Sequence, residues 1–255
     1  LTPLVGAARS AKHDGSYLHR VTMDFKTPSH SWGIPLAEGP VKALFIVPRN
    51  LAAREVVELA QRLDLTFEAV TTVHSGCLAA ENIYESAVSG TTIHEKTQEL
   101  LEKLKKSYDV IVLANVSLQS LPEEAQFYIL KHVADGTGMV MAHAHRVKYK
   151  KLFAKPDSEG RKFILSGLSK YALRPKAQSI STDKLLQTYR FGKGLIAMLD
   201  YQDLHYTGRG MGLTPRYTYS NHWKATYENS LVLVWRTLLW AARRLGPERI
   251  QTNAF

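Results

Sequence analysis

Tyr108-Asp109-Val110-Ile111-Val112-Leu113-Ala114-Asn115 is the stretch on which the fold turns. Its apolar core has no polar alternation and stops at Asn115. A short apolar run of this kind suits a strand covered on both faces. Upstream, residues 92–106 space Leu100, Leu101 and Leu104 along one side of a charged helix. Downstream, Ser120, Pro122 and Glu123 announce another helix: Ser as capping acceptor, Pro in the first turn, Glu reaching back. That helix is predicted to run to about Ala134. Asp135-Gly136-Thr137-Gly138 then turns into a second buried strand, Met139–Ala142. Further upstream, Lys42–Val47 reads as a strand ended by Pro48-Arg49-Asn50. Residues 51–63 read as a helix with Val56, Leu59, Ala60 and Leu63 on one face, and Leu65–Thr72 as a strand. Strands alternating with helices imply an α/β fold with a mostly parallel sheet and right-handed crossovers.

The flanks read differently. Beyond residue 146 the pattern becomes β-rich, with strands expected at Gln178–Ser181, Leu185–Arg190 and Leu195–Leu199. Gly192-Lys193-Gly194 lacks the spacing of a phosphate-binding loop and fits a hairpin turn. Residues 202–222 read as a long loop, and 225–244 as a closing helix with Leu231, Val234, Leu238 and Ala241 as its buried stripe. Residues 1–41, broken by Pro3, Pro28, Pro35 and Pro40, read as an extended arm docked through Trp32 and Ile34, and 42–255 as the domain.

Thirty-three Lys and Arg against 23 Asp and Glu leave a net charge of +10. Much of the excess falls between Arg146 and Lys176, where only Asp157 and Glu159 oppose it. A stretch like this can bind anions. No aromatic-interleaved nucleic-acid motif accompanies it, so nucleic acid is not the expected partner. No apolar run is long enough to span a membrane. One cysteine, Cys77, precludes an intramolecular disulfide. The chain starts at Leu1 without a signal peptide, which fits a cleaved leader or excision from a longer polypeptide.

In an open parallel sheet, ligands bind beyond the carboxyl ends of the strands. Those ends carry Arg49, His74, Asn115, His143, His145 and Asp200, and the following loop adds Asp203 and His205. His143, His205 and Asp200 are the candidate catalytic groups; Arg49, His74, Asn115, His145 and Asp203 are the candidate ligand-binding groups. His143 and His145, two apart, could share a metal with Asp200 or Asp203. One satisfied buried histidine and one exposed one explain the spacing as well, and neither metal nor cofactor is expected. Cys77 is expected to be structural rather than nucleophilic. The tyrosines and Trp223 of 201–227 could stack on sugar rings or pack against another domain.

The order of these segments resembles the class I glutamine amidotransferase-like superfamily, in its trehalose-utilisation-like and β-galactosidase middle-domain-like branch. The resemblance is carried by Lys42–Pro48, the helix Arg54–Ala60, Tyr108–Asn115, Ser120–Ala134, Gly138–His143, Tyr189–Leu195 and Trp235–Arg243. It implies a flavodoxin-like three-layer sandwich with a mostly parallel sheet and a β-rich C-terminal extension. That family's nucleophile is a cysteine in a Gly-x-Cys-x-Gly turn after a buried strand. The matching segment here is Met141-Ala142-His143-Ala144-His145, with histidine at the cysteine position and neither glycine. His205 lies near the family's late histidine, without the His-Pro-Glu sequence. Glutaminase activity is therefore not expected, because imidazole cannot form the thioester with glutamine. The resemblance implies a non-catalytic binding or assembly module of a carbohydrate-related bacterial protein, secreted or periplasmic, with a cytoplasmic location as the alternative. Carbohydrate, neighbouring domains of a longer protein, or copies of itself are the implied partners. The alternative function is a hydrolase of different chemistry using the His/Asp cluster.

Overall fold

A computed structural model describes residues 31–32, 36, 38–48, 51–72, 93–142, 155–166, 168, 185–200, 213–214 and 222–245. The strands are β1 (Val41–Pro48), β2 (Leu65–Thr72), β3 (Val110–Ala114), β4 (Gly138–Ala142), β5 (Lys155–Pro156), β6 (Leu186–Phe191) and β7 (Gly194–Leu199). The helices are α1 (Leu51–Arg62), α2 (Ile93–Leu104), α3 (Glu123–Asp135), α4 (Ser158–Leu165) and α5 (His222–Ala241). The sheet order is β2-β1-β3-β4-β7-β6-β5. The first five positions are mutually parallel, β6 pairs antiparallel with β7, and β5 pairs antiparallel with β6. Its parallel part is the 2-1-3-4-5 order of a flavodoxin-like sheet. The predicted α/β class with a mostly parallel sheet is thus present, and the strands expected in a β-rich C-terminal extension join that sheet, β7 as its fifth parallel strand.

Alternation along each strand builds three layers. Val41, Ala43, Phe45 and Val47 of β1 and Val110, Val112 and Ala114 of β3 face α1 and α5, where they meet Val56, Leu59, Leu231, Val234 and Leu238. The intervening Leu44, Ile46, Ile111 and Leu113 face α2 and α3, against Leu100, Leu104, Ala125, Ile129 and Val133. Each Val, Leu or Ile among them contributes about 1.5–3 kcal/mol by leaving water. Phe45 adds an edge-to-face contact with Phe67, centroids 6.1 Å apart.

Four expectations need correction. Ser120 does not cap α3: it closes a 3₁₀ turn over Leu118–Ser120, its hydroxyl donates to Ser117 O at 2.7 Å, and Pro122 takes the N-cap position without a side-chain acceptor. The stretch after 146 also contains a helix, α4. Its cap is Asp157, whose carboxylate accepts the Gly160 N–H at 2.9 Å. Gly160, a poor helix former, hid this helix in the sequence. It is needed there because a Cβ would lie 2.3 Å from the Trp240 ring. The closing helix begins at His222, so Trp223 belongs to α5 and not to the loop. The C-terminal end of that helix falls at Ala241, short of the expected 244. The predicted strand Gln178–Ser181 lies outside the described residues.

Gly192-Lys193 forms the predicted hairpin turn between β6 and β7. Gly192 has φ +56° and Lys193 does not have a positive φ, the pattern of a type II′ turn. The turn rests on the C-terminal end of α3, where the Lys193 N–H donates to Ala134 O at 2.8 Å. That amide is thereby committed to the helix and not offered to a phosphate.

Trp32 meets the domain at the far end of α1. Its N–H donates to Arg62 O at 3.2 Å and its indole to Glu228 at 3.0 Å. Ile34 lies outside the described residues.

Candidate functional site

The chain passes from β1 to β2 on one side of β1 and returns as β3 on the other. This reversal opens a crevice at the carboxyl ends of β1 and β3. Asn115 stands on its rim, with φ +53°. Asparagine tolerates this left-handed conformation better than a branched or bulky residue. The bend sends the chain away from the sheet into the 3₁₀ turn. The Asn115 N–H donates to Ala142 O at 2.8 Å, extending the β3–β4 ladder by one step. The chain therefore leaves β4 beside Asn115, and His143 is next in sequence.

β7 ends at Leu199, and Asp200 follows at the same edge, exposed, its N–H donating to Leu185 O at 2.9 Å. β4 separates β3 from β7, so two strand spacings, about 10 Å, lie between the strands that end at Asn115 and Asp200. The sheet brings these two predicted residues to one edge without bringing them into contact. Arg49, His74, Cys77, His143, His145, Asp203 and His205 lie outside the described residues. Among the described residues no group of three or more His, Cys, Asp or Glu could hold a metal.

One participant at this edge was missed by the sequence reading. Glu55, in the second turn of α1, is buried. Its carboxylate accepts the Leu213 N–H at 2.5 Å, the Thr214 N–H at 3.4 Å and the Thr214 hydroxyl. A carboxylate that has left water needs such donors. The segment 213–214 is thereby pinned to the start of α1, on the β1 side of the crevice. The available signal was an acidic residue flanked by the buried positions Ala53 and Val56, with a Thr-Pro pair far downstream.

The perturbed ionisations belong to other parts of the molecule. Burial, reinforced by Glu68, pushes the Tyr108 phenol up to about 12. Burial would lower Arg62, but Glu228 and Glu58 outweigh it and raise it. Burial lowers Arg236, whose guanidinium donates to Ile164 O at 2.7 Å and Phe163 O at 2.8 Å, closing the end of α4. None of these belongs to the strand ends that frame the crevice. The described rim offers backbone groups, an amide side chain and a carboxylate. These can hold a polar ligand, and they contain no nucleophile paired with a base.

No protein-family model matches the sequence, and no curated protein matches it. Among solved structures, a ThuA-like protein from Parabacteroides merdae is similar at 17% identity, over 82% of this chain and 92% of that one, with a TM-score of 0.31. Likeness at that level assigns neither activity nor ligand, and the fold class stands on the strand order and register above.

Proposed function

We propose that this chain is a non-catalytic glutamine amidotransferase-like domain, serving as a binding or assembly module in a carbohydrate-related bacterial protein. The supporting observation is the ending of β4. Met141 and Ala142 close a fully buried strand at the carboxyl edge, beside Asn115. The segment that resembles the family's cysteine turn begins there, and its reactive position is His143. An imidazole in that position cannot form the thioester through which the family's cysteine hydrolyses glutamine. The rim that remains suits recognition of a hydroxyl-rich ligand by Asn115 and Asp200. In this reading the segment before β1 serves as an arm laid on the domain, ending at Pro40 because Val41 opens the strand.

Two measurements test it. Incubation with glutamine should release no ammonia; release abolished by Cys77→Ser would overturn the non-catalytic reading. Calorimetric titration and glycan-array binding should find an oligosaccharide whose affinity falls on Asn115→Ala or Asp200→Ala. Silence across a broad panel would remove the carbohydrate assignment. The hydrolase alternative shares the same edge, and hydrolysis of a glycoside or ester panel that is lost in His143→Ala would favour it.

A further inference from the structure

The outward face of α3 leaves two large aromatic side chains in water. Phe127 is 62% exposed and Tyr128 39%, and their rings meet edge to face with centroids 5.5 Å apart. They sit at the middle of a helix whose inward face is fully committed through Ala125, Ile129 and Val133. Two adjacent aromatics left in water at the centre of a helix mark an interaction surface.

The charges around them identify the partner. Glu124 and Lys131, both exposed, lie three and a half residues on either side of the midpoint between Phe127 and Tyr128. At 1.5 Å per residue, each is about 5 Å from that midpoint along the axis. A two-fold axis through the midpoint would lay α3 antiparallel on a second α3. Phe127 of each copy would then lie beside Phe127 of the other on one flank of the seam and Tyr128 beside Tyr128 on the other flank, and Glu124 of each would meet Lys131 of the other, at both ends. The face is complementary to itself, the requirement of an isologous two-fold interface. Lys131 already pairs with Asp135 at 2.6 Å, an exposed contact one turn along the same helix. Such pairs are weakly held, and an ammonium has donors to share. Lys105, at the end of α2, borders the patch; its main partner is Glu102, and it also feels Tyr128 and Glu124.

We propose that the chain self-associates as a two-fold dimer through α3, with the Phe127–Tyr128 pair at its centre and reciprocal Glu124–Lys131 contacts at its rim. The interface is remote from the carboxyl-edge crevice in its chemistry and is independent of what that crevice binds. It is a small surface, so the dimer forms with rising concentration and weakens with salt.

Sedimentation of the 255-residue chain over a concentration series tests it. The mass should rise from 28.6 kDa toward twice that value. Glu124→Lys alone puts lysine opposite Lys131 at both ends, and Lys131→Glu alone puts glutamate opposite Glu124. Each should weaken association roughly tenfold or more. An equimolar mixture of the two variants should recover it as a heterodimer, because both ends are then matched. Carbodiimide coupling in a mixture of light and heavy-isotope wild-type chains should join Glu124 of one to Lys131 of the other, a result that requires no variant to fold. A chain of 28.6 kDa at every concentration, or a dimer indifferent to both reversals and to Phe127→Ser, would overturn the proposal.

Discussion

The two helical layers of this sheet solve the same problem with different surplus. On the α1/α5 side, polar groups turn inward or lie half-covered: Glu58 holds both Arg54 and Arg62, and Arg62 reaches Glu228 on α5 at 2.8 Å. On the α2/α3 side Lys96 and Lys103 half-cover Glu99, but Lys105–Glu102 and Lys131–Asp135 stay on the surface and two aromatics are left outside. One layer is stitched to itself; the other keeps a face unspent. The sheet requires burial of one side of each helix and leaves the outward side open to other uses.

Core truncation should separate the layers from their surfaces most strongly. Phe45→Ala should cost about 3–5 kcal/mol in urea unfolding, since it empties a site between the sheet and α1 and breaks the contact with Phe67. A loss under 1 kcal/mol would mean the α1 layer is not packed as described. Arg62→Met should cost about 2 kcal/mol, less than a fully stranded buried charge would, because Arg54 still pairs with Glu58. Gly194→Ala should cost about 1–3 kcal/mol, because the new methyl would lie 2.2 Å from Val133 O and force the β6–β7 hairpin off α3.

The sheet centre was legible because β3 and β4 are uninterrupted apolar runs, and only strands covered on both faces have that composition. The stripe Leu231, Val234, Leu238 and Ala241 was legible for the corresponding helical reason, and all four are buried. Ser120 misled because its hydroxyl served a nearer carbonyl, a local competition that no spacing rule registers. Gly160 misled because its role depends on Trp240, eighty residues away in sequence. At the candidate site the limit was the same. The parallel order located the crevice and Asn115 on its rim. Glu55 was read only as one residue of a helix because its donors, Leu213 and Thr214, come from the far end of the chain.

The acid limb of stability should distinguish the surface of α2 from the core beneath it. Burial would raise the Glu99 carboxyl, but hydrogen bonds from Lys103 and Lys96 outweigh this and hold it below its ordinary range. A carboxyl depressed in the folded state contributes stability above its unfolded value, near pH 4.5, and loses it as pH falls through the folded value. The stability gap between wild type and Glu99→Gln should therefore be open at neutral pH and close in that acid window. A gap independent of pH would show that the lysines do not set the Glu99 ionisation.

The smallest effect is the sharpest test of the contrast between layers. Phe127→Ala removes a large aromatic, as Phe45→Ala does, yet the side chain is mostly in water already. Its cost to the monomer should stay within about 0.5 kcal/mol at concentrations too low for association. Ile129→Ala, two positions along the same helix but buried, should cost about 2–5 kcal/mol. The ratio of these two losses measures how completely α3 divides its faces between the sheet and a partner. Were Phe127→Ala to cost as much as Ile129→Ala in the monomer, the aromatic pair would be part of the fold and not a surface held in reserve.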